Sequence, residues 1–308
     1  MLDWRPLGLE DRRVVCDYLR NHPPRISELT FTNLFVWRGH RPIRWAERDG
    51  ALFLLQERDG HESLLGYPVG GGPVEEWLPV LSESGVRTFE RVPRGVARKL
   101  CKAGLKSMAD RANADYVYRR LDLVELAGRR YHRQKNLVNR CLSRYRCSYC
   151  DLTPDLLPEV REMQERWCDE RPARRDPGLC AERRAIAETF DRYEELGLRG
   201  GAVRVDGRVE AYCAGEALSP DTAVVHFEKA MASFQGLYQV INRWFCEFGL
   251  AGFEFVNREQ DLGLPGLRRA KRSYHPHHMV HKCIAGWPGE VLERVPAEQS
   301  GRCCEEMM

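Results

Sequence analysis

The hydrophobic positions change rhythm along the chain, and the rhythm is clearest between residues 199 and 285. VVHFEKA reads as a short apolar strand, Ala223–Phe227, running into the charged pair Glu228–Lys229. FQGLYQVINRWFCEFG then shows apolar residues at helical spacing and predicts an amphipathic helix over Leu237–Phe248. FEFVN is a second strand that ends in the polar run Asn257–Asp261, and a basic helix follows to Tyr274. Upstream, a strand Gly201–Val205 turns at Asp206–Gly207 into a strand Arg208–Leu218, and His278–Ala285 predicts the last strand. Strands alternating with helices, with charges just past the strand ends, is how α/β proteins build binding clefts.

The first half carries the same alphabet. Leu9–Arg20 predicts a helix, Glu28–Trp37 an apolar and aromatic element, and Ile43–Ala46 with Ala51–Glu57 a hairpin around Asp49–Gly50. Gly70–Gly72 marks a loop before a helix at Val74–Ser84, and Glu90–Leu105 is a further, partly helical element. Asp115–Leu126 is expected to be a hinge. Helices follow at Arg133–Tyr145, Pro154–Cys168 and Ala181–Leu196, with an arginine-rich loop, Asp169–Pro177, between the last two. The expected division is therefore a domain over 1–125, a second over 126–287 that holds the cleft, and a frayed tail over 288–308. A hairpin turned by Asp–Gly in each half hints at a duplicated fold.

Composition narrows the function classes. At 308 residues with 43% hydrophobic content, the chain can bury two cores. Its net charge of +3 gives no global field for polyanions, so any nucleic-acid surface must come from local clustering. No window approaches the ~18 apolar residues of a membrane span, and the first residues lack the apolar core of a signal peptide, so a cytoplasmic setting is expected. The 12 cysteines are mostly scattered singly among apolar neighbours, as small core residues are in a reducing compartment. No metal site is expected, since Cys147 and Cys150 have no second pair at ligand spacing.

Local clustering exists. Between Leu126 and Cys150 there is no Asp or Glu, while Arg133, Lys135, Arg140 and Arg144 all fall there. Leu137, Val138, Cys141, Leu142 and Tyr145 recur at core spacing, which leaves Arg133, Arg140 and Arg144 outward, as a nucleic-acid footprint or as a solvated face paired with the acidic helices downstream. Alternation along His226–Ala230 puts His226 and Glu228 on one face and Phe227 and Lys229 on the other. A carboxylate at a strand end can orient an amine or take its proton, so Glu228 is a catalytic candidate. In the turn Asn257–Gly263, Asp261 is expected to cap the next helix, leaving Asn257, Arg258 and Glu259 for substrate. Arg268 and Lys271 crowd the basic helix, with Tyr274 three residues past Lys271. Gln235–Gly236 at a helix start is an incomplete phosphate loop, with Tyr238 just inside the helix.

HFEKA, QGLYQVIN, NREQDLGLPGLRRAKRSYHP and YHRQKNLVNRCLSRY resemble the phosphatidylglycerol lysyltransferase C-terminal-like family, as does SELTFTNLFVWR. The resemblance spans residues 27–283. It implies an α/β (α+β) chain of two tandem GNAT-like acyltransferase domains, each a mixed, mostly antiparallel sheet flanked by helices. GLRRAKRSY is also similar to a motif of the aminoacyl-tRNA-dependent peptidoglycan ligases, which places a transfer-site lysine on Lys271 and an aromatic on Tyr274. Glu228 resembles the acid ending the corresponding strand of the lysyltransferases. What the resemblance implies is an acyltransferase with Lys271 and Glu228 as catalytic residues. Lys229, Tyr238, Asn257, Arg258, Glu259, Arg268 and Tyr274 are expected at the substrate, and Arg133, Lys135, Arg140 and Arg144 on tRNA. The donor would be aminoacyl-tRNA, or alternatively acyl-CoA, with a small-molecule, peptide or lipid acceptor. A non-catalytic binding module on the same fold is the remaining alternative.

Overall fold

The computed structural model describes residues 1–58, 60–170 and 177–293. The chain divides into two compact units. The first is Met1–Asp115, Arg175–Ala185 and Val280–Met308; the second is Tyr116–Arg174 and Ile186–Met279. Each holds a mixed, mostly antiparallel set of strands flanked by helices.

In the first unit, β1 (Arg5–Pro6), α1 (Arg12–Asn21) and α2 (Phe31–Val36) lead into the meander β2 (Ile43–Arg48), β3 (Ala51–Arg58) and β4 (His61–Leu65). The Asp–Gly turn of β2–β3 is in place, with φ of 47° at Asp49 and 74° at Gly50, the left-handed values a two-residue hairpin requires. After β5 (Val69–Gly70) and α3 (Leu78–Glu83), β6 (Thr88–Pro93) runs parallel to β4, with Leu64 opposite Phe89. α4 (Arg94–Lys102) and β7 (Lys106–Arg119) follow. Phe53, Leu64, Trp77, Leu81, Phe89 and Leu100 form the core.

The division between the two units falls inside the stretch Asp115–Leu126, after Asp115, but the stretch is regular structure rather than loop. It continues β7 and enters a helix, because Ala114, Tyr116, Val117 and Tyr118 are all buried. Asp115 is itself buried; it accepts the Ser27 N–H at 2.9 Å and lies 2.6 Å from the buried ammonium of Lys282, which also meets Glu28 at 2.6 Å. Burial pushes the Glu28 carboxyl up, and Lys282 and Arg91 oppose it.

The second unit runs α5 (Arg120–Glu125), α6 (His132–Arg144), β8 (Cys147–Asp151), α7 (Leu157–Asp169), α8 (Pro177–Asp191) and α9 (Tyr193–Leu196). Then come β9 (Arg199–Val205), β10 (Arg208–Ala217), β11 (Thr222–Ala230), α10 (Leu237–Trp244), β12 (Phe255–Asn257) and α11 (Pro265–Arg272), after which β13 (His278–Gly286) returns the chain to the first unit from Val280 on. β8 to β11 are successively antiparallel, β11 runs parallel to β12, and β12 pairs with the end of β7. In the first unit β6 likewise pairs with β13, Val92 opposite Cys283. Each unit is thus an antiparallel meander, a parallel pair and a closing strand drawn from a distant part of the chain. The Asp–Gly turns fall at the same step of both meanders, as duplication requires. The arginine-rich loop expected at Asp169–Pro177 and most of the expected tail lie outside the described residues. Among the described residues no helix is long and apolar enough to cross a membrane.

Candidate active site

The parallel pairing of β11 with β12 stops at Val224 opposite Asn257, yet β11 continues to Ala230. Glu228 therefore stands four residues beyond the last paired position, where its strand has no parallel neighbour. Arg258, the first residue past β12, crosses that gap. Its Nη2 donates to both Glu228 oxygens, at 2.8 and 3.0 Å, and Asn242 Nδ2 on α10 donates to Glu228 Oε2 at 3.0 Å. Both charged side chains are only 13% exposed. The guanidinium lies 4.9 Å from the ring of Tyr274 and 5.8 Å from that of Tyr118. Burial opposes its charge, but Glu228 together with Tyr118, Tyr274 and Cys246 outweighs burial and holds Arg258 above its usual range.

Lys271 joins the same point from α11. Its ammonium donates to the Arg258 carbonyl and lies 5.9 Å from the Tyr116 ring, while Tyr118 Oη donates to the Lys271 carbonyl at 2.8 Å. One residue thus links the predicted ammonium and carboxylate: Arg258 binds Glu228 through its side chain and Lys271 through its backbone. One donor is left over. Arg258 Nη1 is buried and has no hydrogen-bond partner, and Asn242 Oδ1 is in the same state. The thiols of Cys213 and Cys246 nearby are pushed up by burial, Cys246 to about 12, so neither offers a thiolate nucleophile.

The alternation that places His226 with Glu228 fails here. β10 pairs Gly215 with Val225 and Ala214 with Phe227, so His226 is the extra residue of a bulge. The bulge flips the period: Val225 and Glu228 share one face, and His226 joins Phe227 and Lys229 on the other. There His226 Nε2 lies 2.9 Å from Glu216 and Nδ1 2.9 Å from Glu259. Burial disfavours the imidazolium, but the hydrogen bonds to the two carboxylates prevail and push His226 up to about 9. Glu259 is engaged by His226, and fully buried Asn257 accepts the Glu259 N–H at 2.8 Å.

The other candidates fall into three places. Lys229 is buried with its ammonium 4.1 Å from the Trp167 ring, and Trp167 Nε1 donates to Tyr238 Oη at 2.9 Å. These two therefore meet at α7, on a different contact from Glu228. Asp261 does not cap α11, whose first turn begins after Leu264; a proline at N1 and an intervening Gly263 put it out of reach. Its carboxylate instead takes the Gly263 N–H, the Tyr116 hydroxyl and both prongs of Arg268, at 2.8 and 2.9 Å. On α6, Arg133, Lys135, Arg140 and Arg144 are all exposed, opposite buried Val138 and Cys141. Of the acids downstream, Glu159 pairs with Arg204, Glu162 with Arg208 and Asp191 with Arg161. A shallow depression of about 410 Å³, lined by Cys147, Ser148, Tyr149, Trp244 and Phe248, includes none of the candidates.

Sequence reasoning passed over Asn242, Tyr116, Tyr118 and the role of His226. Asn242 had a signal, a short polar residue within the apolar stripe of α10. Tyr116 and Tyr118 had none, since they reach the site from more than 100 residues away.

Comparisons with known proteins follow the same lines. A family model described as phosphatidylglycerol lysyltransferase, C-terminal, matches residues 20–285. No curated protein matches the chain. A solved structure of a conserved protein of unknown function from Bacteroides thetaiotaomicron VPI-5482 is 28% identical, with a TM-score of 0.85 over 93% of this chain and 100% of that one. L-PGS from Bacillus licheniformis is 14% identical, with a TM-score of 0.67 over 92% of this chain and 93% of its own. FemX is 10% identical, with a TM-score of 0.59 over 92% and 97%. The last two likenesses are of fold.

Proposed function

We propose that this chain, which belongs to the phosphatidylglycerol lysyltransferase C-terminal family, transfers an aminoacyl group from charged tRNA to an amine or hydroxyl acceptor. The observation that carries the reading is the unpartnered Nη1 of Arg258, a buried donor on the guanidinium that holds Glu228, in the residue whose backbone carbonyl takes the Lys271 ammonium. A buried donor without a partner costs about 1–3 kcal/mol, and a developing oxyanion is a partner that would recover it.

The chemistry is acyl transfer. The acceptor nitrogen or oxygen forms a bond to the ester carbon, and the carbonyl electron pair moves onto oxygen. Arg258 Nη1 and Lys271 stabilise that oxyanion. Collapse breaks the bond to the ribose oxygen, which takes the proton the acceptor gives up. Glu228 aligns the acceptor and relays that proton. Tyr274 walls the site above Arg258, and Asn257 and Glu259 hold the turn that carries Arg258. Lys229 and Tyr238 form a second contact for substrate at Trp167. Arg133, Lys135, Arg140 and Arg144 meet tRNA phosphates, with Arg268 near the acceptor end. The lysyl transfer in the family's name supports an aminoacyl cargo, and a cytoplasmic setting goes with a tRNA donor.

The test is incubation of the protein with labelled total aminoacyl-tRNA and a cell extract, following the label by mass. Transfer that Lys271→Ala abolishes supports the reading. No loss of the ester bond above buffer, together with a clear thermal shift on saturating acetyl-CoA, overturns it in favour of an acyl-CoA donor.

A further inference from the structure

His226 lies on the opposite face of β11 from the Glu228–Arg258 pair, and nothing in the transfer chemistry uses it. It is buried, at 4% side-chain exposure, between two carboxylates from different elements: Glu216 on β10 and Glu259 after β12. Those two acids are the charged groups that meet it, each at 2.9 Å. Both halves of the Glu228–Arg258 pair trace back to it.

His226 is the extra residue of the β10–β11 bulge. Without the bulge, Glu228 would keep step with His226 and face away from Arg258. On the other side, Glu259 directly follows Arg258 and has a φ of 53°, a left-handed value that a residue with a side chain adopts only under restraint. Three contacts among the described residues contribute to the restraint. The Asn257 side chain takes the Glu259 N–H, the Tyr116 N–H bonds its carbonyl at 3.1 Å, and His226 holds its carboxylate. Of the three, the His226 contact spans 33 residues and ties the turn to β11 itself. The imidazole is held up at about 9, so the clamp is cationic at neutral pH.

We propose that His226 is a positioning residue for the transfer site: bound to Glu216 and Glu259, it holds the bulge that aims Glu228 and the turn that aims Arg258. The proposal rests on the aminoacyl-transfer reading for its kinetic consequence, but not for its structural one. His226 touches no reacting atom; it fixes where two groups that do so stand, and a displacement on the order of 1 Å costs about 100-fold in rate.

The test is His226→Gln, which removes the cation and keeps one amide to hydrogen-bond. Two readouts are taken. In the first, the Arg258 Nε–H resonance is followed by heteronuclear NMR, assigned by its loss in Arg258→Lys. It is expected to shift in His226→Gln and to return toward the wild-type position in His226→Gln/Glu259→Gln, where the uncompensated carboxylate of the turn is gone. In the second, the transfer rate is expected to fall about 100-fold with the donor KM within about threefold of wild type. An Arg258 resonance that stays in place in folded His226→Gln overturns the proposal, as does a loss confined to KM. Should His226→Gln not fold, Glu259→Gln is read by the same two measures. If wild-type protein transfers nothing, the aminoacyl reading fails while the NMR arm still decides whether His226 places Arg258.

Discussion

Arg258 can be removed in two ways that separate its structural weight from its chemistry. Arg258→Met alone takes away both bonds to Glu228 and leaves a carboxylate that is 13% exposed with the Asn242 amide and the Cys213 thiol for company. Breaking a buried ion pair from one side costs about 3–5 kcal/mol. Arg258→Met with Glu228→Met removes the stranded charge as well. What remains unmatched is the Asn242 amide, at about 1–2 kcal/mol, so the double variant should recover roughly 2–3 kcal/mol of the single variant's loss. Turnover should not follow. If Arg258 Nη1 meets the oxyanion, both variants lose about 10²–10³-fold in transfer rate, the cost of one such donor. Urea unfolding measures the first quantity and labelled aminoacyl transfer the second. A double variant that regained wild-type turnover along with its stability would show Arg258 to be a counter-ion and nothing more, and would refute the reasoning.

Three further outcomes are expected. His226 is raised from its ordinary 6.5 to about 9 in the folded chain, so the clamp contributes roughly 3 kcal/mol that is fully present below pH 6.5 and lost as pH rises through 9; the difference in urea midpoint between wild type and His226→Gln should shrink between pH 6 and 10, and a constant difference would remove the imidazolium from the account. Charge reversal of Arg133, Arg140 and Arg144 together should weaken tRNA binding and lower its salt slope by about 3, while changing stability by little because all three are exposed; filter binding unchanged at low salt would dismiss α6 as the footprint. Lys282→Ala takes the ammonium shared by buried Glu28 and Asp115, leaving Glu28 with Arg91 and Asp115 with Ser27, and should cost the first unit about 3–5 kcal/mol, whereas an unfolding curve within about 1 kcal/mol of wild type would show that water or rearrangement replaces the ammonium.

Much of the fold was legible because its signals are local. Both Asp–Gly hairpins, the core face of α6 and the strand–helix–strand–helix run through Glu228 and Tyr274 follow from periodicity and turn chemistry. The convergence of Lys271, Arg258, Tyr274 and Glu228 was legible in kind, since charged residues just past strand ends of an α/β chain gather at one edge. Four features were not. The expected hinge at Asp115–Leu126 gave no sign of the strand it belongs to, whose Asp115 carboxylate is anchored by Ser27 and Lys282, far away in sequence. Asp261 carries the signature of a cap, yet its partners are Tyr116 and Arg268. Tyr118 enters from the far half of the chain. The bulge at His226 has no glycine or proline on its own strand; the glycine that goes with it, Gly215, sits across from it on β10.

By itself the sequence determined the elements, their order and the residue types crowded at the ends of β11 and β12, because those depend on neighbours within a few positions. Only the tertiary structure decided which face Glu228 takes, that Arg258 is its partner, and that His226 stands behind both. Each of those outcomes is set by pairing between residues tens of positions apart, where one extra residue in a ladder reverses every side chain beyond it.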